Sequence, residues 1–212
     1  MDKTQEHLET LKDIRNIMDR SSRFISLSGL SGVFAGIFAL AGAFVANYKL
    51  DISFTRYDYF EGHSTRWMKF DDFIWFFVTD AGLVLVASLL VATFFTVRNS
   101  RKKGIAIWGS TSKRLMLNMM IPLIAGGSFC LALLYHGFWG LVAPATLVFY
   151  GLALLNASKY TLNDIRYLGV SEIALGVVGS FFVGYGLLFW SIGFGVLHIV
   201  YGAVMYFKYE RG

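Results

Sequence analysis

The feature that most limits what this chain can fold into is a series of apolar runs, each about long enough to cross a bilayer. A membrane-crossing helix needs about 20 mostly apolar residues. Such runs lie at about 24–47, 73–97, 115–136, 138–156, 169–189 and 191–208. In hydrocarbon every backbone N–H and C=O must find a partner within the protein, so runs of this length are expected to be helices. The expected fold is all-α, a polytopic integral membrane protein with six transmembrane helices in a compact bundle. The third and fourth runs are parted only by "HGFWG", and the fifth and sixth by "WSIG", which predicts two tight hairpins. Of 212 residues 56% are hydrophobic and 16% charged. A soluble domain of that size has too little interior to hide so much apolar surface.

The formal charge of +5 is distributed in a way that sets an orientation. Basic residues gather between the apolar runs, as loop charges do, so no nucleic-acid partner is expected. With the N-terminus inside, 15 of the 19 Lys and Arg residues face inward; Lys49, Arg56, Arg66 and Lys69 lie outside. The positive-inside rule then places both termini in the cytoplasm. The expected location is a cell membrane of the bacterial cytoplasmic kind, with the lipid bilayer as the first partner.

Residues 1–23 are polar and carry five basic and five acidic side chains, unlike the cationic start of a secretory signal. They are expected to form a cytoplasmic amphipathic helix with Leu8, Leu11, Ile14, Ile17 and Met18 on one stripe. That helix lies on the membrane or docks a partner. The transmembrane domain is then 24–208. The outer loop 48–72 alternates at Leu50, Ile52 and Phe54 and offers Glu61-Gly62 as a turn, which predicts a small extracytoplasmic β-hairpin. It serves as a lid, or its aromatics form an interfacial belt.

Small residues mark the packing faces. Gly29, Gly32 and Gly36 recur at three and four in the first run, Gly169, Gly176, Gly179 and Gly186 share a face in the fifth, and Gly195 and Gly202 flank His198 in the sixth. In lipid, close backbone approach at such residues drives helix association. The partner face is expected within the bundle, or in a homo-oligomer.

Ionisable groups at membrane depth are costly and mark functional positions. Three qualify: Asp80, Glu172 and His198. Asp80 and His198 each lie seven residues from an outer apolar boundary, a matching depth of about 10 Å. If their helices are neighbours, they pair; Tyr201 shares the His198 face. This makes Asp80, His198 and Tyr201 the ligand or proton-site candidates. Glu172 is expected near the inner end, in reach of Lys208 or Arg23. Ser28, Ser31, Asn118 and Glu172 form a second polar group, and Asn118 precedes Pro122, which is expected to kink the third span and free a carbonyl. The lone Cys130 excludes an intrachain disulfide, and neither metal-ligand spacing nor a phosphate-binding glycine loop is present. No metal and no cofactor are expected.

The stretch Gly29-Leu30-Ser31-Gly32 resembles the GxSG motif of rhomboid intramembrane proteases, and "LHIVYGAVM" around His198 is similar to that family's histidine helix. The resemblance covers about 25 residues and implies Ser31 as nucleophile with His198 as its base. It departs from the family in placing the serine on the first helix rather than the fourth core helix, about 10 Å from His198 in depth. The leading expectation is a protein that binds or moves a small solute, ion or proton through an intramembrane pocket. A non-catalytic scaffold or signalling subunit is the alternative, and an intramembrane enzyme the third reading.

Overall fold

The computed structural model describes residues 27–50, 70–104 and 107–211. The expected N-terminal helix and most of the outer loop, with its hairpin, lie outside the described residues. Among the described residues the chain is all helical. Its long elements are α1 (Gly29–Leu50), α2 (Phe70–Lys102), α3 (Ser110–Tyr135), α4 (Val142–Ala157), α5 (Asp164–Phe181) and α6 (Gly186–Tyr209). Five of these, all but α5, are long and apolar enough to cross a membrane. The exception contains Asp164, Arg166 and Glu172 within its 18 residues.

Helix ends follow local backbone chemistry more closely than hydropathy. After α3, Gly137 takes φ +79. The Phe138 amide then reaches back to the Leu133 carbonyl at 2.8 Å, and the Gly137 amide to Leu134 at 3.2 Å. This paired closure satisfies carbonyls that a helix end otherwise strands, and it makes the expected "HGFWG" turn. The other hairpin differs from expectation. The chain turns at 182–185, where Gly184 has φ +105, and "WSIG" lies inside α6. An unbroken apolar run hid this turn, because Gly184 and Gly186 bring no polar side chain to interrupt it. Helix α2 likewise runs on past residue 97 to Lys102, since polar residues end an apolar run without ending a helix.

Glycine contacts join the helices into two antiparallel pairs. Gly29 and Gly32 of α1 lie on the backbone around Gly202 of α6, and Gly36 lies on Gly195. A Cβ on Gly36 would sit 2.6 Å from the Gly195 carbonyl oxygen. In the second pair, a Cβ on Gly151 of α4 would sit 2.6 Å from the Gly169 oxygen of α5, and one on Gly176 would sit 2.7 Å from that of Pro144. Gly179 packs under the Phe189 ring. Helix α6 links the pairs by touching α4 and α5, while α2 flanks α1 and α3 flanks α4. The buried core gathers Leu154, Leu162, Ile165, Leu168 and Met205. Outward faces are apolar: Leu83, Leu90 and Phe94 of α2 are 66%, 67% and 62% exposed. A patch so large needs an apolar surrounding.

Pro122 shows how one residue organises a contact. It lacks the N–H that would bond the Asn118 carbonyl. That oxygen instead accepts from Asn156 Nδ2 of α4 at 3.1 Å, so a broken helical bond becomes a bond between helices.

Candidate functional site

Glu172 lies midway along α5 and is 0% exposed. Across from it, α6 changes winding. Residues Ser191–Leu197 are π-helical between α-helical Gly186–Trp190 and His198–Tyr209. Such a segment carries i→i+5 bonds and is frequent at functional sites. Here the widened turn brings Gly193 and His198 together over Glu172. A Cβ on Gly193 would lie 2.5 Å from Glu172 Oε2, so glycine is what makes room for the carboxyl group.

His198 is 7% exposed, and both of its ring nitrogens are engaged. Nε2 lies 2.8 Å from the Tyr150 hydroxyl of α4, and Nδ1 lies 3.0 Å from the Gly193 carbonyl oxygen. Glu172 Oε1 is 3.4 Å from the same Nδ1. A neutral ring with its proton on Nδ1 donates to Gly193 and accepts from the Tyr150 O–H, which completes its hydrogen bonds. Glu172 is then surplus: among the described residues neither carboxyl oxygen has a hydrogen-bond partner. Phe194 stacks on the imidazole with ring centres 5.9 Å apart, and Trp190 stands against Phe194 at 5.2 Å. The aromatic column Trp190–Phe194–His198 therefore runs along one face of α6.

Trp190 also lines a cavity of about 240 Å³ between α1, α2, α3, α4 and α6. Asp80 and Thr146 are among its lining residues. Thr146 is one turn before Tyr150 on α4, and Trp190 is two turns before His198 on α6, so cavity and carboxyl cluster share two walls. The Asp80 carboxylate lies against Gly42 of α1, with Oδ2 3.2 Å from where a Cβ would be.

The structure thus groups the candidates differently from the apolar boundaries. His198 is with Glu172 and Tyr150, while Asp80 is in the cavity beside α1. Counting from apolar boundaries misplaced the depths, because the hairpin turn is at 182–185 and puts Glu172 and His198 both in mid-helix. Lys208 is engaged away from Glu172, bonding Asp164 at 2.9 and 3.1 Å. Tyr201 packs on the inner core. Ser28 donates to Glu210 at 2.9 Å, and Glu210 also accepts from the Gly29 amide. That carboxylate from the end of the chain caps the start of α1. Asn118 is with Asn156, so the second polar group does not converge. Ser31 Oγ donates to the Ser28 carbonyl oxygen at 2.5 Å, while His198 faces Tyr150 and Gly193; the two make no dyad. Tyr150 escaped the sequence reading, though a tyrosine in mid-span, away from the interfaces, needs a partner for its hydroxyl.

Outside the apolar stretches, Asp164 accepts from Tyr209 at 2.6 Å as well as from Lys208. Burial alone would raise its pKa, but these hydrogen bonds and the Lys208 charge outweigh that and hold it below the ordinary carboxylate value. Among the described residues no group of His, Cys, Asp and Glu could hold a metal ion. Comparison with protein-family models, curated proteins and solved structures finds no match.

Proposed function

We propose that the chain is a six-span membrane protein that binds or moves a small solute in linkage with a proton held on Glu172 beside His198. The observation that carries this reading is the fully buried Glu172, whose carboxyl group has His198 at 3.4 Å and no hydrogen-bond partner among the described residues. In an apolar interior an isolated carboxylate is very costly. With the His198 ring neutral, the carboxyl group is therefore stable when it carries its own proton, and loss of that proton leaves a buried net charge. A cation arriving nearby would compensate that charge, which is the elementary form of proton-linked binding.

The six spans include α5. After Arg166, its residues 167–181 measure about 22 Å at 1.5 Å per residue, and the turn residues 182–185 extend that toward the hydrocarbon thickness of about 30 Å. Glu172 faces inward, while Val170, Val177 and Phe181 of α5 are exposed, which fits a helix with one lipid face. The excess of inner positive charge supports cytoplasmic termini. The glycine faces of α1 and α5 are engaged within the chain, so a second copy would pack on other surfaces.

The test is infrared titration of the purified protein in lipid nanodiscs. A protonated carboxyl stretch that titrates with pH and vanishes in Glu172→Gln is expected. A titration indistinguishable between wild type and Glu172→Gln would overturn the reading.

A further inference from the structure

The cavity beside α1 has a chemistry of its own. Its wall is overwhelmingly apolar, with the rings of Phe77, Trp139 and Trp190 and the side chain of Leu187. Against these stands one acidic group, Asp80. Its carboxylate lines the cavity and has no hydrogen-bond or ion-pair partner among the described residues. A carboxylate in such surroundings is stabilised by a cation that enters with it, and aromatic faces add their own attraction for positive charge.

The composition of the wall narrows the occupant. A divalent metal ion takes about six oxygen ligands, and the cavity supplies the Asp80 carboxylate and the Thr146 hydroxyl, which already donates to the Ala143 carbonyl oxygen at 2.7 Å. A zwitterionic lipid headgroup would bring a phosphate into contact with Asp80, and among the described residues no basic side chain lines the cavity. An aliphatic chain alone would leave the carboxylate unpaired. The volume of about 240 Å³ lies just below the range of about 300–1,000 Å³ for drug-sized ligands.

We infer that the cavity binds a small monovalent organic cation, an amine on a compact apolar body, with its ammonium group on Asp80 and its body between Trp139 and Trp190. This rests on the proposal that the chain binds a small solute, and it names the class of that solute. Contact with Trp190 places the ligand at the head of the column that ends at His198, so occupancy would be felt at the Glu172 pair.

Benzylamine and its uncharged counterpart benzyl alcohol test the assignment, with calorimetric binding and proton release measured on the same nanodisc sample. Wild type is expected to prefer benzylamine by about tenfold or more, the worth of a charge-assisted hydrogen bond. Asp80→Asn should abolish the preference, and Ala81→Phe, which fills the cavity and keeps the carboxylate, should abolish binding of both. Glu172→Gln should still bind benzylamine but release no proton. Equal binding of the two probes, or a preference that survives Asp80→Asn, would overturn the amine assignment even where Glu172 still titrates. Amine binding with no Glu172-dependent proton release would instead sink the proton linkage and leave the amine site standing.

Discussion

The sharpest consequence of the Glu172 geometry concerns what happens when each member of the cluster is removed. The Tyr150 hydroxyl, the His198 ring and the Gly193 carbonyl form a complete chain at 2.8 and 3.0 Å, and Glu172 adds only a 3.4 Å approach to a nitrogen already engaged. Glu172→Gln keeps the shape and both short bonds, so its effect on stability is expected within about 1 kcal/mol of wild type. His198→Leu is different. It deletes both short bonds, leaves the Tyr150 hydroxyl and the Gly193 carbonyl oxygen unpaired, and removes the ring nitrogen 3.4 Å from the buried Glu172, a loss of about 3–5 kcal/mol. In the double variant no stranded carboxyl group remains, and about 1–3 kcal/mol of that loss should return as coupling between the sites. Reversible unfolding of the four proteins in mixed detergent micelles measures all three quantities. Equal losses in the two single variants would refute the reasoning, because they describe a conventional ion pair in which both partners are charged. Zero coupling would refute the contact itself.

Two further outcomes follow from other parts of the fold. Gly202→Ala should cost about 1–3 kcal/mol, since the new Cβ would sit 2.6 Å from the Val33 amide nitrogen and 2.7 Å from the Gly29 oxygen, both backbone atoms. Gly82→Ala, where nothing lies within 4 Å, should instead gain about 0.5–1 kcal/mol; the same unfolding assay separates them, and equal effects would contradict the packing. Asp164 has a lowered folded-state pKa, so its contribution is present above the ordinary aspartate value of about 3.9 and is lost as pH falls through the lowered one. The Tm difference between wild type and Asp164→Asn should therefore be constant near neutral pH and shrink in acid, and a difference that grows in acid would reverse the assignment.

Much of the helix packing could be read before any coordinates. Gly29, Gly32 and Gly36 were legible as a packing face because helical spacing of small residues has a single physical use in lipid, close backbone approach. What spacing left open was the partner, since two smooth faces carry no label for each other; α6 supplies it through Gly195 and Gly202. Pro122 was legible in the same partial way. Its missing N–H implied a free carbonyl, but Asn156 as the donor depends on where α4 lies. The pairing of His198 was not legible. Depth was counted from the ends of apolar runs, and those ends mark where polarity changes rather than where the chain turns. The Gly184-Tyr185-Gly186 string was the available signal, a turn composition buried in an apolar stretch.

By itself the sequence determined the long apolar helices. Runs of about 20 apolar residues leave helices as the form that satisfies the backbone in lipid. Those are local properties, set by each segment's own composition. The tertiary structure alone decided which polar groups meet. The π-helical turn at Ser191–Leu197, the gap at Gly193 and the crossing of α4, α5 and α6 bring Tyr150, Glu172 and His198 together from positions up to 48 residues apart. The cavity at Asp80 likewise arises from five helices at once. Such meetings depend on how helix faces fit one another, and that fit is a property of the assembled fold that no single segment carries.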